Sequence, residues 1–107
     1  MIKIINSSLH FLYSLTISKE WKNNEYFDIE WKERIRYMSN LIDDNTSSIA
    51  DIGCGKCWLK DFLPKEVKYY GLDYTSRNNS TIVIDLNKRE FTSLSFDTCF
   101  CSGVIEY

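Results

Sequence analysis

Short apolar runs separated by polar turns fill the second half of the chain and predict β-strands. The predicted strands are Ser48 to Ile52, Val67 to Asp73, Thr81 to Leu86 and Phe96 to Ser102. Their near-continuous apolar character is typical of parallel strands covered on both faces. A helix over about Cys57 to Leu63, which Pro64 ends, is the predicted first crossover. The pattern therefore predicts an α/β fold with a doubly wound parallel sheet.

The first half of the chain has helical periodicity instead. Between residues 27 and 43, apolar residues recur at spacings of three and four: Phe27, Trp31, Ile35, Met38 and Leu41 or Ile42. Asp28 is the predicted helix cap, and charged residues fill most of the other face. A weaker stripe predicts another helix between about Ser8 and Trp21. We therefore expect an N-terminal helical segment, residues 1–48, followed by a sheet segment, residues 49–107.

Composition limits the classes of function. The 107 residues carry a net charge of −2 and are 44% hydrophobic, which suits one domain with a modest core. The charge balance gives no long-range attraction for nucleic acid or an anionic membrane. No apolar run is long enough to span a membrane, and no cleavage site follows the apolar residues near the N-terminus. We expect a cytoplasmic protein whose four cysteines are free thiols.

Two glycines one residue apart follow the first predicted strand. Asp51-Ile52-Gly53-Cys54-Gly55 ends that strand, turns sharply and leads into the predicted helix. Glycines allow the backbone to approach a ligand closely, and the N–H groups of a helix start suit a carboxylate or phosphate. The turn therefore favours a nucleotide-like cofactor, with an ordinary strand–loop–helix connection as the alternative.

Three successive predicted strands end in an acid. These acids are Asp51, Asp73 and Asp85, and in doubly wound sheets ligands bind beyond the carboxyl ends of the strands. Asp73 lies close to the roughly 20-residue offset at which an acid accepts the hydroxyls of a ribose. Tyr74 is placed to stack on a base, and Asp85 is placed to accept from an exocyclic amine.

These stretches resemble the motifs of class I S-adenosylmethionine-dependent methyltransferases. Asp51 to Gly55 resembles motif I, Gly71-Leu72-Asp73 motif II, and Ile84-Asp85-Leu86 motif III. Phe96 to Tyr107 resembles the motif IV strand, with Ile105 and Tyr107 in place of the usual Leu and His. The resemblance covers residues 49–107. It implies a Rossmann-like fold with sheet order 3-2-1-4 and S-adenosylmethionine as the cofactor.

The resemblance also implies a set of cofactor contacts but assigns no catalytic residue. Gly53 and Gly55 would pass under the methionine part, Asp73 would hold the ribose, and Asp85 would receive the adenine amine. The cofactor residues implied are Asp51, Gly53, Cys54, Gly55, Asp73, Tyr74, Asp85, Leu86, Ser102 and Gly103. The Cys101-Ser102-Gly103-Val104 segment favours a small-molecule methyl acceptor over DNA bases or glutamine.

The sequence departs from the resemblance in two ways. Cys57 replaces the third glycine of motif I, while Trp58 opposes a dinucleotide-binding fingerprint. The family fold continues for three strands beyond the fourth, so this chain reads as a truncated, cofactor-binding half. Its fourth strand would be an apolar edge of Phe100, Val104 and Ile105, with only Asp97 to discourage pairing. We therefore expect self-association, a partner chain on that edge, or marginal stability.

Two alternatives remain open. The chain is a catalytically inactive fragment that binds cofactor or a partner, or its cysteines form a zinc or redox site. Cys54 and Cys57 form a C-x-x-C, and Cys99 and Cys101 lie on the same side of the fourth predicted strand.

Overall fold

The computed structural model describes residue 27 and residues 29–102 of the chain. The predicted helix between Ser8 and Trp21 and the predicted cap Asp28 lie outside the described residues. So do the predicted cofactor residue Gly103 and the predicted edge residues Val104 and Ile105.

The sheet has four strands in the order β3-β2-β1-β4, and all of its pairings are parallel. The strands are β1 (Ser48–Ile52), β2 (Lys68–Asp73), β3 (Ile82–Val83) and β4 (Thr98–Cys101). The chain places β2 and β3 on one side of β1, then crosses to place β4 on the other side. The predicted α/β class and the Rossmann-like strand order are confirmed. In this order the point at which the strand order reverses lies between β1 and β4.

One α-helix, α1 (Ile29–Ser39), packs on the sheet within the described part of the chain. Ile35 and Met38 contact the core cluster formed by Ile49, Leu59 and Phe100, as the helical stripe predicts. The stripe continues through Ile42, which contacts the same cluster, whereas Leu41 is 75% exposed. Burial on this face comes from alternate residues of each strand, because successive side chains point to opposite faces.

The opposite face of the sheet is built from the intervening strand residues. Ala50, Leu72 and Ile84 form its buried cluster, and Tyr70 packs edge-on against Phe96 beside them with ring centroids 5.1 Å apart. Among the described residues, none of the helices has the length and apolar character that crossing a membrane requires.

Four predicted elements differ from those observed. The helix predicted between residues 27 and 43 spans Ile29–Ser39, and the fourth strand, predicted from Phe96 to Ser102, spans Thr98–Cys101. The first crossover is a five-residue 3₁₀ helix, Trp58–Phe62, because Cys57 takes a left-handed conformation with φ 58° and Pro64 follows closely. β3 ends at Val83 rather than Leu86, although the N–H of Ile84 still donates to the carbonyl of Asp73 at 2.9 Å. Asp85 ends the extended run because its carboxylate caps a second 3₁₀ helix, Leu86–Lys88.

The expected apolar edge of β4 is wrong for its described residues. Phe100 is buried in the core with Ile49, while Cys99 and Cys101 are the exposed residues of this strand. Asp97, which was expected to discourage pairing at this edge, is engaged in hydrogen bonds instead. Its carboxylate accepts from the backbone N–H and hydroxyl of Ser47 at 2.8 and 2.6 Å, which ties the start of β4 to the start of β1.

Candidate functional site

The glycine turn lies at the carboxyl end of β1 and is fastened to β2. The N–H groups of Gly53 and Cys54 both donate to the carbonyl of Leu72, at 2.7 and 3.0 Å. Gly53 and Gly55 have φ angles of 71° and 51°, a region in which side chains with a Cβ are strained. Gly53 is exposed, so its backbone is open to a ligand.

Asp73 is the centre of the contacts at the end of β2. Its carboxylate accepts from the N–H of Gly55 at 2.9 Å and from the N–H of Tyr74 at 2.8 Å. The Arg77 guanidinium donates from Nε at 3.0 Å to one oxygen and from Nη2 at 3.4 Å to the other. Asp73 therefore links the glycine turn to the β2–β3 connection, as a residue serving both parts of one ligand would.

Arg77 and Phe27 cover this centre, and the sequence interpretation missed both roles. The Arg77 side chain is only 4% exposed, and its guanidinium lies 5.1 Å from the centroid of the Phe27 ring. That ring lies so close to Gly55 that a Cβ there would meet it at 2.6 Å. The spacing of Arg77 four residues after Asp73 was a signal for their pairing. No comparable signal in the sequence pointed to Phe27, because its position in the apolar helical stripe already accounted for an aromatic residue there.

Asp51 is buried on the α1 side of the sheet. The Tyr69 hydroxyl donates to its carboxylate at 2.6 Å, which partly offsets burial. Burial raises the pKa of Asp51 to about 7, with the Tyr69 hydrogen bond acting in the opposite direction. The resemblance implies that Asp51 is a cofactor residue, and its observed partner is the Tyr69 side chain of β2.

The predicted adenine residues lie in a separate turn. Asp85 accepts from the N–H of Asn87 at 3.0 Å, and its own N–H donates to the Glu90 carboxylate at 3.1 Å. Leu86 is 44% exposed. The structure thus joins Gly55, Asp73 and Tyr74 by direct contacts, whereas Asp85 makes its hydrogen bonds within its own turn.

Ser102 follows β4 and holds an unsatisfied buried group. Among the described residues its Oγ has no hydrogen-bond partner although the atom is shielded from solvent. A buried hydroxyl without a partner is unusual, because burial removes its hydrogen bonds to water. Ser102 lies at the carboxyl end of β4, beside the switch in strand order, where the resemblance places the methionine side of the cofactor.

The cysteines do not gather into a metal site within the described part of the chain, where no cluster of three or more His, Cys, Asp or Glu is placed to hold an ion. Cys99 and Cys101 are exposed on the edge strand, while Cys54 is buried within the glycine turn.

Searches against models of protein families, among curated proteins and among solved structures each found no match to this chain. The function therefore has to be inferred from the residues of the site.

Replacing Gly55 with alanine is expected to lower the free energy of unfolding by about 1–2 kcal/mol, because an L-residue is strained at this φ. The added Cβ also meets the Phe27 ring. Gly53→Ala is the matched control, since it adds the same strain at an exposed position. Urea unfolding should show a smaller loss for Gly53→Ala, and equal stability of Gly55→Ala and the parent chain would contradict the observed turn.

Proposed function

We propose that this chain binds S-adenosylmethionine at the carboxyl ends of β1, β2 and β4, as the cofactor half of a methyltransferase. The contact between the Gly55 N–H and the Asp73 carboxylate carries the proposal. It joins a glycine turn to an acid that ends the neighbouring parallel strand, next to the switch in strand order. This is the arrangement needed to hold the amino-acid part and the ribose of one cofactor.

The remaining residues fit the cofactor in part. The exposed backbone of Gly53 allows close approach, and the Ser102 hydroxyl, which has no hydrogen-bond partner among the described residues, would donate to a polar group of the methionine moiety. When bound, the cofactor would supply an activated methyl group, and the chain's residues would bind and orient it. The favoured acceptor is a small molecule. The four free thiols suit a reducing compartment such as the cytoplasm.

Asp73 sets a condition on binding. A carboxylate has about four lone-pair sites, and Asp73 already receives the N–H groups of Gly55 and Tyr74 and two donors from Arg77. The ribose hydroxyls must therefore replace Arg77, which would move away from the carboxylate and from the Phe27 ring. We expect cofactor binding to be coupled to this exchange.

Calorimetric titration of the 107-residue chain with S-adenosylhomocysteine tests the proposal. We expect micromolar affinity, or about −8 kcal/mol. Ser102→Ala should weaken binding roughly three- to tenfold, since one hydrogen bond contributes about 0.5–1.5 kcal/mol. Because Ser102 Oγ lacks a partner in the described chain, its removal should leave folding stability unchanged.

Two further variants sharpen the titration. Asp73→Asn retains an acceptor for the Gly55 N–H but loses the charge and one acceptor oxygen, so it should weaken binding more than Ser102→Ala. Ser95→Ala, in an exposed loop, is the matched serine control and should bind like the parent. Binding that neither site variant weakens would contradict the assigned contacts.

The alternative is a module that binds a partner chain rather than a cofactor. It is favoured by the observation that Arg77 and Phe27 already occupy the surroundings of Asp73 and Gly55. Within the described chain, β4 is paired only with β1, so its other edge is open to a strand from a partner or a second copy. Absence of S-adenosylhomocysteine binding by a chain with cooperative unfolding would favour this alternative.

A further inference from the structure

The Cys54-Gly55-Lys56-Cys57 turn holds two thiols whose side chains the proposed cofactor contacts do not use. The N–H of Cys57 donates to the carbonyl of Cys54 at 2.7 Å, which closes a four-residue turn. Such turns hold their end Cα atoms within about 7 Å, and disulfides span Cα distances of about 4.4–6.8 Å. The turn therefore brings the two thiols close enough for a disulfide.

The structure gives these thiols unequal surroundings. Cys54 is buried, and its Sγ lies over Gly71, where a Cβ would meet it at 3.0 Å. Cys57 is half-buried, so a small reagent can reach it. Gly71 thus leaves room for the buried Cys54 thiol, while the Cys57 thiol stays accessible.

The Cys57 sulfur has polar partners on two sides. Asn78 donates to it from Nδ2 at 3.6 Å, and the thiol itself donates to the carbonyl of Gly55 at 3.8 Å. The neighbouring Cys54 thiol has the largest of the effects that lower the pKa of Cys57, while burial and the charge of Asp73 act against it. Asp51 is the other acidic group that faces this sulfur. Conversely, the pKa of Cys54 is raised, so the proton of the pair stays on the inner sulfur.

We propose that Cys57 and Cys54 form a peroxide-sensitive dithiol, with Cys57 as the reactive thiol and Cys54 as the resolving thiol. The Cys57 thiolate attacks one oxygen of hydrogen peroxide, the O–O bond breaks, and the hydroxide that leaves takes up a solvent proton to form water. Cys57 becomes a sulfenic acid. The sulfur of Cys54 then attacks that of Cys57, the S–O bond breaks, and the leaving hydroxide takes the Cys54 proton. The dithiol loses two electrons, and one peroxide becomes two waters.

The test is oxidation of the reduced 107-residue chain with a few equivalents of hydrogen peroxide, followed by alkylation of free thiols and tryptic digestion. Lys56 lies between the two cysteines, so cleavage there separates them unless a disulfide joins them. We expect the peptide 37–56 to remain linked to the peptide 57–60, or the uncleaved peptide 37–60 to have lost two hydrogen atoms. Reduction should reverse either product.

Cys99 and Cys101 are internal controls, because both are more exposed than Cys57. If access alone governs oxidation, these two react first, and that order would overturn the proposal. A disulfide joining Cys99 to Cys101, with Cys54 and Cys57 still alkylated, would overturn it as well. Both measurements use the parent chain and need no cofactor, so they stand apart from the titration with S-adenosylhomocysteine.

Variants separate the two roles. Cys54→Ser should leave Cys57 as a sulfenic acid that dimedone traps, whereas Cys57→Ser should give neither product. Asn78→Asp keeps the acceptor oxygen that holds the Ser80 N–H but removes the donor to sulfur. It should move the pH midpoint of Cys57 alkylation upward by at least about half a unit. An unchanged midpoint would contradict the part given to Asn78 in stabilising the thiolate.

Discussion

Replacing Arg77 with methionine is expected to lower the free energy of unfolding by about 3–5 kcal/mol, because it leaves the Asp73 carboxylate buried without its charge partner. The two side chains are 4% and 6% exposed, and their closest atoms, Nε and Oδ2, lie 3.0 Å apart. The N–H groups of Gly55 and Tyr74 would still donate to the Asp73 carboxylate. The loss of stability is therefore smaller than for a buried carboxylate without any hydrogen-bond donor. Urea unfolding at neutral pH measures it.

A double-mutant cycle separates the ion pair from general damage. Asp73→Asn removes the charge that Arg77 balances, so adding Asp73→Asn to Arg77→Met should recover much of the lost stability. Arg77→Lys keeps the charge but cannot donate to both oxygens, and it should fall between the parent and Arg77→Met. An Arg77→Met chain within about 1 kcal/mol of the parent would show that the pair is solvated in solution and open to a ribose. That result would remove the exchange step from the proposed cofactor binding.

The strand pattern of the sequence was enough to predict the sheet, because apolar runs bounded by turn residues set β1 and β2 almost to the residue. The order β3-β2-β1-β4 followed from the motif resemblance and is confirmed. The 3₁₀ helix after the glycine turn was not predictable in the same way. The composition of this segment favours a helix but does not indicate that Cys57 takes a left-handed conformation just before it. β3 was predicted too long because Asp85 was assigned to a strand end rather than to a helix cap.

The strand pattern was enough to predict that Asp73 meets the glycine turn, but not which side chains cover them. Asp73 and the glycine turn meet as expected, since parallel strands bring their carboxyl ends to one edge. The spacing of Arg77 four residues after Asp73 was a signal for their ion pair, whereas the position of Phe27 beside Gly55 depends on how the segment before α1 folds back over the sheet. Tyr69 lies in the run that predicts β2 as an apolar strand, but its hydroxyl donates a hydrogen bond to Asp51. A tyrosine has an apolar ring and a polar hydroxyl, so only the tertiary structure decides whether it acts as a core residue or as a hydrogen-bond donor.

The Asp51→Asn variant is expected to gain stability relative to the parent as the pH rises. The pKa of Asp51 rises from 3.8 to about 7 on folding, so between these values the folded chain keeps a proton that the unfolded chain has released. The contribution of Asp51 to the stability of the folded parent is therefore largest below about pH 4. It is lost as the pH rises to about 7. The whole shift corresponds to about 4 kcal/mol. Asparagine does not ionise and can still accept the Tyr69 hydrogen bond.

The measurement is the difference in unfolding free energy between variant and parent at pH 4, 6 and 8, which cancels every group that titrates alike in both chains. It should move in favour of the variant by about 3–4 kcal/mol over this range. Asp97→Asn is a control of opposite sign, because hydrogen bonds from Ser47 lower the pKa of Asp97 and its stabilisation is lost as the pH falls. A difference for Asp51→Asn that stays constant with pH would mean that water reaches this carboxyl in the folded chain. Asp51 would then be charged at neutral pH and open to a cationic group, such as the amino group of a cofactor, rather than held in a closed pair with Tyr69.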